Sequence, residues 1–363
     1  MAYETNGRAY PDAGRGAAVS PELPAGFRLR GSRGMVYTIR RTLGSGGFGI
    51  TYEASAADGR RLAIKELFPA SITVRRADGA VTAVGDSAHF QKMMESFHKE
   101  IGVLYKLNCT GAFVKIYDYF YANNTAYYVM EFVEGDTLKE HIRKHGVLDP
   151  VKWEQPFLQL MRDLSYLHAN DVIHRDIAPD NIKITPNGTL KLIDFGLARP
   201  YMMDTKVTVN LKPGFAPFEQ YSSHGQGAYT DVYALAATMY YCFTGKVIPD
   251  AYERRAKDTI VAPRSLCPSI SCRQEQALLR ALAVDYRQRC QSMQEFEQAY
   301  AESPTPIPGP DPTPGTGPKP LQTGNGGLTE RLHTSLELLR KEPIMPAIAG
   351  VLFLAALILQ IAL

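Results

Sequence analysis

Two β-prone runs, VYTIRRTL at 36–43 and ITYEA at 50–54, flank the glycine-rich stretch GSGGFG. Rich in β-branched and aromatic residues, they read as strands joined by that stretch. RLAIKELFP at 61–69 is a third, mostly apolar strand, and ITVRRADGAVTAV at 72–84 has two β-prone runs around Ala-Asp-Gly, the pattern of an inserted hairpin with a structural role. Residues 89–107 change period: Met93, Phe97, Ile101 and Leu104 recur at helical spacing. At about 100° per residue, Glu100 lies about 60° from Phe97 and borders this stripe, while Glu95 lies about 160° away and faces water. AYYVMEFVEGDTL at 126–138 runs from an apolar strand into a polar turn.

Helical signals then dominate. Asp149 as N-cap and Pro150 at the first helical position open a helix whose Phe157, Leu160, Leu164 and Leu167 share one face. TDVYALAATMYYCFTG at 230–245 has Thr230 as N-cap, Asp231 in the first turn and Gly245 as the stop; Ser292 and Glu295 form a capping box for the last helix of the body. A strand-rich part followed by a larger helical part makes the expected class α+β.

The pattern breaks at residues 303–327, SPTPIPGPDPTPGTGPKPLQTGNGG, where proline recurs and large apolar residues nearly vanish. This reads as a linker, its proline-rich part extended and its glycine-rich end flexible, with an SH3-type ligand as the alternative. Residues 328–342 place leucines at 328, 332, 336 and 339, a stripe that could lie on a membrane or pair with a copy of itself. Residues 344–363, IMPAIAGVLFLAALILQIAL, carry no charge; about 20 helical residues reach across the hydrocarbon, so a single transmembrane helix is expected. Arg331, Arg340 and Lys341 precede it, which places the upstream body in the cytosol as a domain on a cell membrane. A chain continuing past Leu363 could add an outer domain. The N-terminal extension 1–34 shows no signal-peptide run and is expected to be flexible.

Composition adds exclusions. With 363 residues, 45% hydrophobic and 21% charged, the chain can fill a substantial core, and a net charge of +3 supplies no basic stripe for nucleic acid. The five cysteines, 109, 242, 267, 272 and 290, form no C-x-x-C pair and read as free thiols in a reducing compartment.

Chemistry enters through four separated motifs. Gly44, Gly46 and Gly49 sit between two strands, where they let backbone N–H groups approach phosphate; Lys65 is a lone lysine in an apolar strand; HRDIAPDN spans 174–181; and LKLIDFGLAR spans 190–199. In this order and spacing they resemble the bacterial branch of the Hanks-type serine/threonine protein kinases, over nearly all of residues 37–301. The resemblance implies the two-lobed protein kinase fold, a small β-rich N-lobe at about 37–130 and a large helical C-lobe at about 135–301.

It also implies ATP and Mg²⁺ as cofactors, and roles residue by residue. Asp176 would orient the incoming hydroxyl and take its proton, Asn181 and Asp194 would hold metal, and Lys65, paired with Glu100, would grip the α- and β-phosphates. Gly44, Gly46, Gly49, Thr51, Ala63, Met130, Glu131 and Val133 would line the nucleotide, with Met130 as gatekeeper and the Glu131 and Val133 backbone on the adenine. His174 and Phe195 would pack beneath the site. Glu219 in KPGFAPFEQY would pair with Arg289, Phe218 and Cys290 stand where prolines are usual, and Asp231 would brace the catalytic loop. Arg175 suggests control by phosphate on the segment 194–219, with Thr205 and Thr208 preferred over Tyr201.

One position departs from the pattern. A lysine that usually contacts the transferred phosphate is replaced by Ala178, and the arginine that tyrosine kinases add two places later is replaced by Asp180. Lys212 is the candidate to supply that charge, with substrate docking or plain solvation as its alternatives. The expected function is ATP-dependent phosphorylation of protein serine and threonine hydroxyls, with itself as a substrate in trans. The alternatives are a pseudokinase scaffold that binds ATP at the membrane, and a small-molecule phosphotransferase; retention of Lys65, Asp176 and Asp194 speaks for the enzyme.

Overall fold

β-branched and aromatic residues on successive runs build an antiparallel sheet first. The structure, a computed structural model, describes residues 20–107, 111–194, 199–200, 211–221 and 225–301. The chain divides into two units, 1–304 and 305–363, and all described residues lie in the first. Its six-stranded sheet has the order β1 (Arg28–Arg30), β2 (Val36–Gly46), β3 (Gly49–Ala56), β4 (Arg61–Leu67), β8 (Thr125–Glu131), β7 (Ile116–Ala122). The hairpin β5 (Thr73–Arg75) and β6 (Val81–Ala83) forms its own two-stranded sheet, and α1 (Ser87–Leu107) packs on β7 and β8.

Of the extension 1–34 expected to be flexible, residues 20–34 are described, and part of them is held against the sheet. Leu23 and Leu29 are 3% and 1% exposed, β1 pairs with β2, and Leu23 N donates to Tyr52 Oη at 3.1 Å. Burying one such leucine contributes about 1.5–3 kcal/mol, enough to hold a short segment down. On α1, Phe90, Met94, Phe97 and Ile101 are buried, Met93 is half-buried and Glu95 is exposed. The side chains of Glu100 and Leu104 lie outside the described residues.

The remaining elements are mainly helical: α2 (Leu138–His145), α3 (Pro150–Ala169), β9 (Val172–Ile173), β10 (Ile182–Ile184), β11 (Leu190–Leu192), β12 (Arg199–Pro200), α4 (Ala228–Thr244), α5 (Ala251–Ala256), α6 (Pro263–Leu266), α7 (Cys272–Ala281) and α8 (Met293–Tyr300). Asp149 caps α3 by accepting from Val151 N at 3.0 Å. Along α4 nearly every side chain from Thr230 to Phe243 is buried, and Phe157 of α3 meets Phe243 edge-on at 5.5 Å.

Two caps differ from expectation. Helix α4 starts at Ala228, so Thr230 is inside it; its Oγ1 accepts from Gly227 N at 3.1 Å and donates to Glu219, which satisfies the helix start from within. For α8, Ser292 accepts from Glu295 N at 3.1 Å, but the Glu295 carboxylate turns to Arg280 and to Gln291 N, so only half of the capping box forms.

No helix among the described residues is long and apolar enough to cross a membrane. The expected linker 303–327, leucine stripe 328–342 and transmembrane run 344–363 lie outside the described residues, as do Cys109, Phe195, Tyr201, Thr205 and Thr208.

Candidate active site

The glycine flap is the β2–β3 hairpin, with Gly46 paired to Gly49. A Cβ on Gly44 or Gly46 would meet nothing within 4 Å, whereas one on Gly49 would collide with the Glu66 carbonyl of β4. The open pair can let a phosphate approach the backbone. Gly49 is required by strand packing as well, a constraint that the sequence reading did not assign.

Antiparallel register fixes the next residues. Lys65 on β4 lies between Thr51 and Tyr128, and Ala63 is opposite Met130; Lys65, Ala63 and Met130 are all under 10% exposed. The Lys65 ammonium pairs with the Asp194 carboxylate, bringing together residues from β4 and from the chain just after β11. The expected Lys65–Glu100 pairing rests on a side chain outside the described residues.

The loop between β9 and β10 carries Asp176. Asp231, fully buried on α4, accepts from His174 N and Arg175 N, each at 2.8 Å, and bonds His168 Nε2 at 2.8 Å. Burial alone would raise the Asp231 carboxyl, but the hydrogen bond and charge of His168 outweigh it and hold the group below the usual carboxylate range. Arg175 has φ of 66°, and its carbonyl accepts from Gln220 at 2.8 Å. Burial pushes the His174 imidazole down, so this fully buried side chain is neutral at neutral pH. These contacts brace the turn on which Asp176 stands.

Both Asp176 oxygens are held: Asn181 Nδ2 donates to Oδ2 at 2.8 Å and Lys212 Nζ lies 3.0 Å from Oδ1. Burial raises the Asp176 carboxyl, and the Lys212 ammonium pulls it back part-way. Ala178 is fully buried, and Asp180 points away to Lys139 at 3.1 Å.

Asn181 commits its amide nitrogen to Asp176, which leaves the amide oxygen open as a donor to metal, and its backbone carbonyl accepts from Ile193 N at 2.9 Å, one residue before Asp194. Among the described residues no cluster of three or more His, Cys, Asp or Glu could cage an ion alone. An oxygen pair of this kind fits magnesium, which takes one or two protein oxygens and completes its shell with phosphate and water.

Three lysine and glutamine contacts escape sequence reasoning. Lys183 on β10 donates to the carbonyls of Val133 and Gly135 at 3.0 and 2.9 Å. Lys191 pairs with Glu131, tying the strand before Asp194 to the end of β8. Gln220 is the third, through Arg175. Only a lysine between Ile182 and Ile184 hinted at the first. Glu219 and Arg289 form a buried pair at 2.7 Å, and the guanidinium also donates to the carbonyls of Ala283, Tyr229 and Val284.

The family model of the protein kinase domain matches residues 37–300. Serine/threonine-protein kinase PknA of a Nostoc species is 31% identical over 72% of this chain and 46% of its own length. A probable serine/threonine-protein kinase of Clostridium acetobutylicum is 28% identical over 71% of this chain and 38% of its own. This chain thus spans less than half the length of these curated relatives. Among solved structures, the apo form of PpkA-294 superposes with a TM-score of 0.66 at 30% identity, covering 78% of this chain and all of that one.

Proposed function

This chain belongs to the protein kinase family, and from that premise we propose that it transfers the γ-phosphoryl group of ATP to serine and threonine hydroxyls of proteins. The observation that carries the reading is the pairing of Asp176 with Asn181 and of Lys65 with Asp194, close enough for the Asp194 charge to act on Asp176, from β4, the β9–β10 loop and the end of β11. The names of the curated relatives support the hydroxyl class.

Asp176 accepts the hydrogen bond of the incoming hydroxyl and takes its proton as the oxygen–phosphorus bond forms, while the bond from phosphorus to the bridging oxygen of ADP breaks. Asn181 keeps one carboxylate oxygen fixed, and the other, which Lys212 also contacts, retains a lone pair to accept from the hydroxyl. Lys65 supplies positive charge to the phosphates from a rigid strand. Magnesium, held by Asn181 and Asp194, supplies the remaining charge neutralisation when bound.

The reading extends to phosphorylation of Thr205 and Thr208 by a second copy in trans, supported by Arg175 next to Asp176. It also includes anchoring of a cytosolic catalytic domain by residues 344–363, supported by their unbroken apolar composition. The test is intact-mass analysis of the dephosphorylated full chain, incubated with ATP and magnesium beside Asp176→Asn. Mass gain in wild type alone is expected, with peptide mapping to place the phosphate. Absence of gain in both, with ATP still bound, would favour the scaffold.

A further inference from the structure

The two positions that supply a cation to the transferred phosphate in related loops are here a buried alanine, Ala178, and an outward-paired aspartate, Asp180. A charge deficit in the loop would leave the developing negative charge on the phosphoryl oxygens less compensated, and such preorganised contacts are among the largest contributions to catalysis. The structure holds a cation at the Asp176 carboxylate from outside the loop. Lys212 Nζ lies 3.0 Å from Asp176 Oδ1, the oxygen that Asn181 does not take.

Its backbone is well fixed. The Lys212 carbonyl accepts from Phe215 N and Ala216 N, both at 3.0 Å, forming a turn around Gly214 at φ of 79°. A Cβ on Gly214 would collide with Val247 and lie 2.8 Å from the Ile248 carbonyl, so the turn is pressed against the chain after α4. Glu219, locked by Arg289, and Gln220, bonded to the Arg175 carbonyl, tie the same segment to the helical lobe and to the catalytic loop. The side chains of Lys212 and Asp176 remain 31% and 18% exposed, so the pair can be reached from solvent.

We propose that Lys212 is a catalytic residue that delivers, from across the cleft, the positive charge Ala178 does not carry. An ammonium has three donors, so one can stay on Asp176 while another meets an oxygen of the phosphoryl group in flight. Lys212 thereby links the proton acceptor and the transferred group. This inference rests on the kinase reading above. It differs from a docking role because the charge acts on the reacting atoms and is felt in turnover.

The test uses the full chain. Autophosphorylation rates at saturating ATP, the KM for ATP, and ATP affinity by calorimetry are measured for wild type, Lys212→Met, Lys212→Arg and the double variant Lys212→Met/Ala178→Lys. Lys212→Met is expected to lower the saturated rate roughly 10²-fold with ATP affinity within about threefold. Lys212→Arg should recover at least about tenfold of that loss, since the charge returns. Recovery in the double variant would add direct support, and because Ala178 is buried the arginine variant decides if the double variant misfolds. A saturated rate within about twofold of wild type in Lys212→Met overturns the inference alone. Wild-type protein that binds ATP without transferring phosphate overturns the kinase reading, and this inference with it.

Discussion

Single side chains set the geometry of this cleft by occupying hydrogen-bonding groups that would otherwise compete for substrate. Lys183 is the plainest case: burial lowers the pKa of its ammonium, and the ammonium donates to the Val133 and Gly135 carbonyls. Its role is to position the connection between the two lobes, without contact to the reacting atoms. Lys183→Met should therefore raise the KM for ATP by about three- to tenfold, with the saturated rate within about twofold, because lost charged hydrogen bonds weaken ground-state nucleotide binding. A fall in the saturated rate at unchanged KM would reject that role. Sequence reasoning did not single out this lysine in the run NIKI, because its partners belong to a turn nearly fifty residues upstream, beyond the reach of periodicity.

At the scale of elements, the β5–β6 hairpin reads in the sequence as an ornament without chemistry, and the structure gives it a definite task. Arg75 reaches from β5 to Glu66, which has no exposure at all, and also donates to the carbonyls of Gly79 and Pro21 at 2.9 and 2.6 Å. Tyr52 and Tyr127 donate their hydroxyls to the same carboxylate, so the residue next to Lys65 is fully compensated on its own face of the sheet. The hairpin thus clamps β4 and binds down the segment before β1. Removing one partner of a buried ion pair leaves the other charge stranded, at a cost of about 3–5 kcal/mol. Arg75→Ala should lower the urea midpoint accordingly, and Arg75→Met/Glu66→Met should recover much of the loss. An unchanged midpoint in the single variant would show that Glu66 is compensated without the hairpin. The strands, by contrast, were legible because alternating apolar positions declare themselves locally, and α3 because Asp149 and Pro150 mark its first turn.

On the scale of the whole molecule, the sequence also carries an expectation for residues 344–363. With the full chain expressed in a bacterial host, the kinase should remain in the membrane pellet after alkaline carbonate washing, and a variant ending at residue 343 should move to the supernatant; release of the full chain by the wash would reject an integral anchor. Within the described residues, strands β2–β6 and β8, helices α1, α3, α4 and α8, and the choice of Lys65, Asp176, Asn181 and Asp194 as candidates come from the chain alone, since each depends on neighbours within a few residues or on motif spacing; β1, β7, α2 and α5–α7 were not read from it. Folding decided what those residues touch. It put Lys212 on Asp176, Arg75 on Glu66 and Asp231 beneath the catalytic loop, and it anchored the segment 20–34 through the buried Leu23 and Leu29. Local propensity and periodicity are properties of short windows, whereas an ion pair between distant segments exists only once sheet register and helix packing have closed the loops between them.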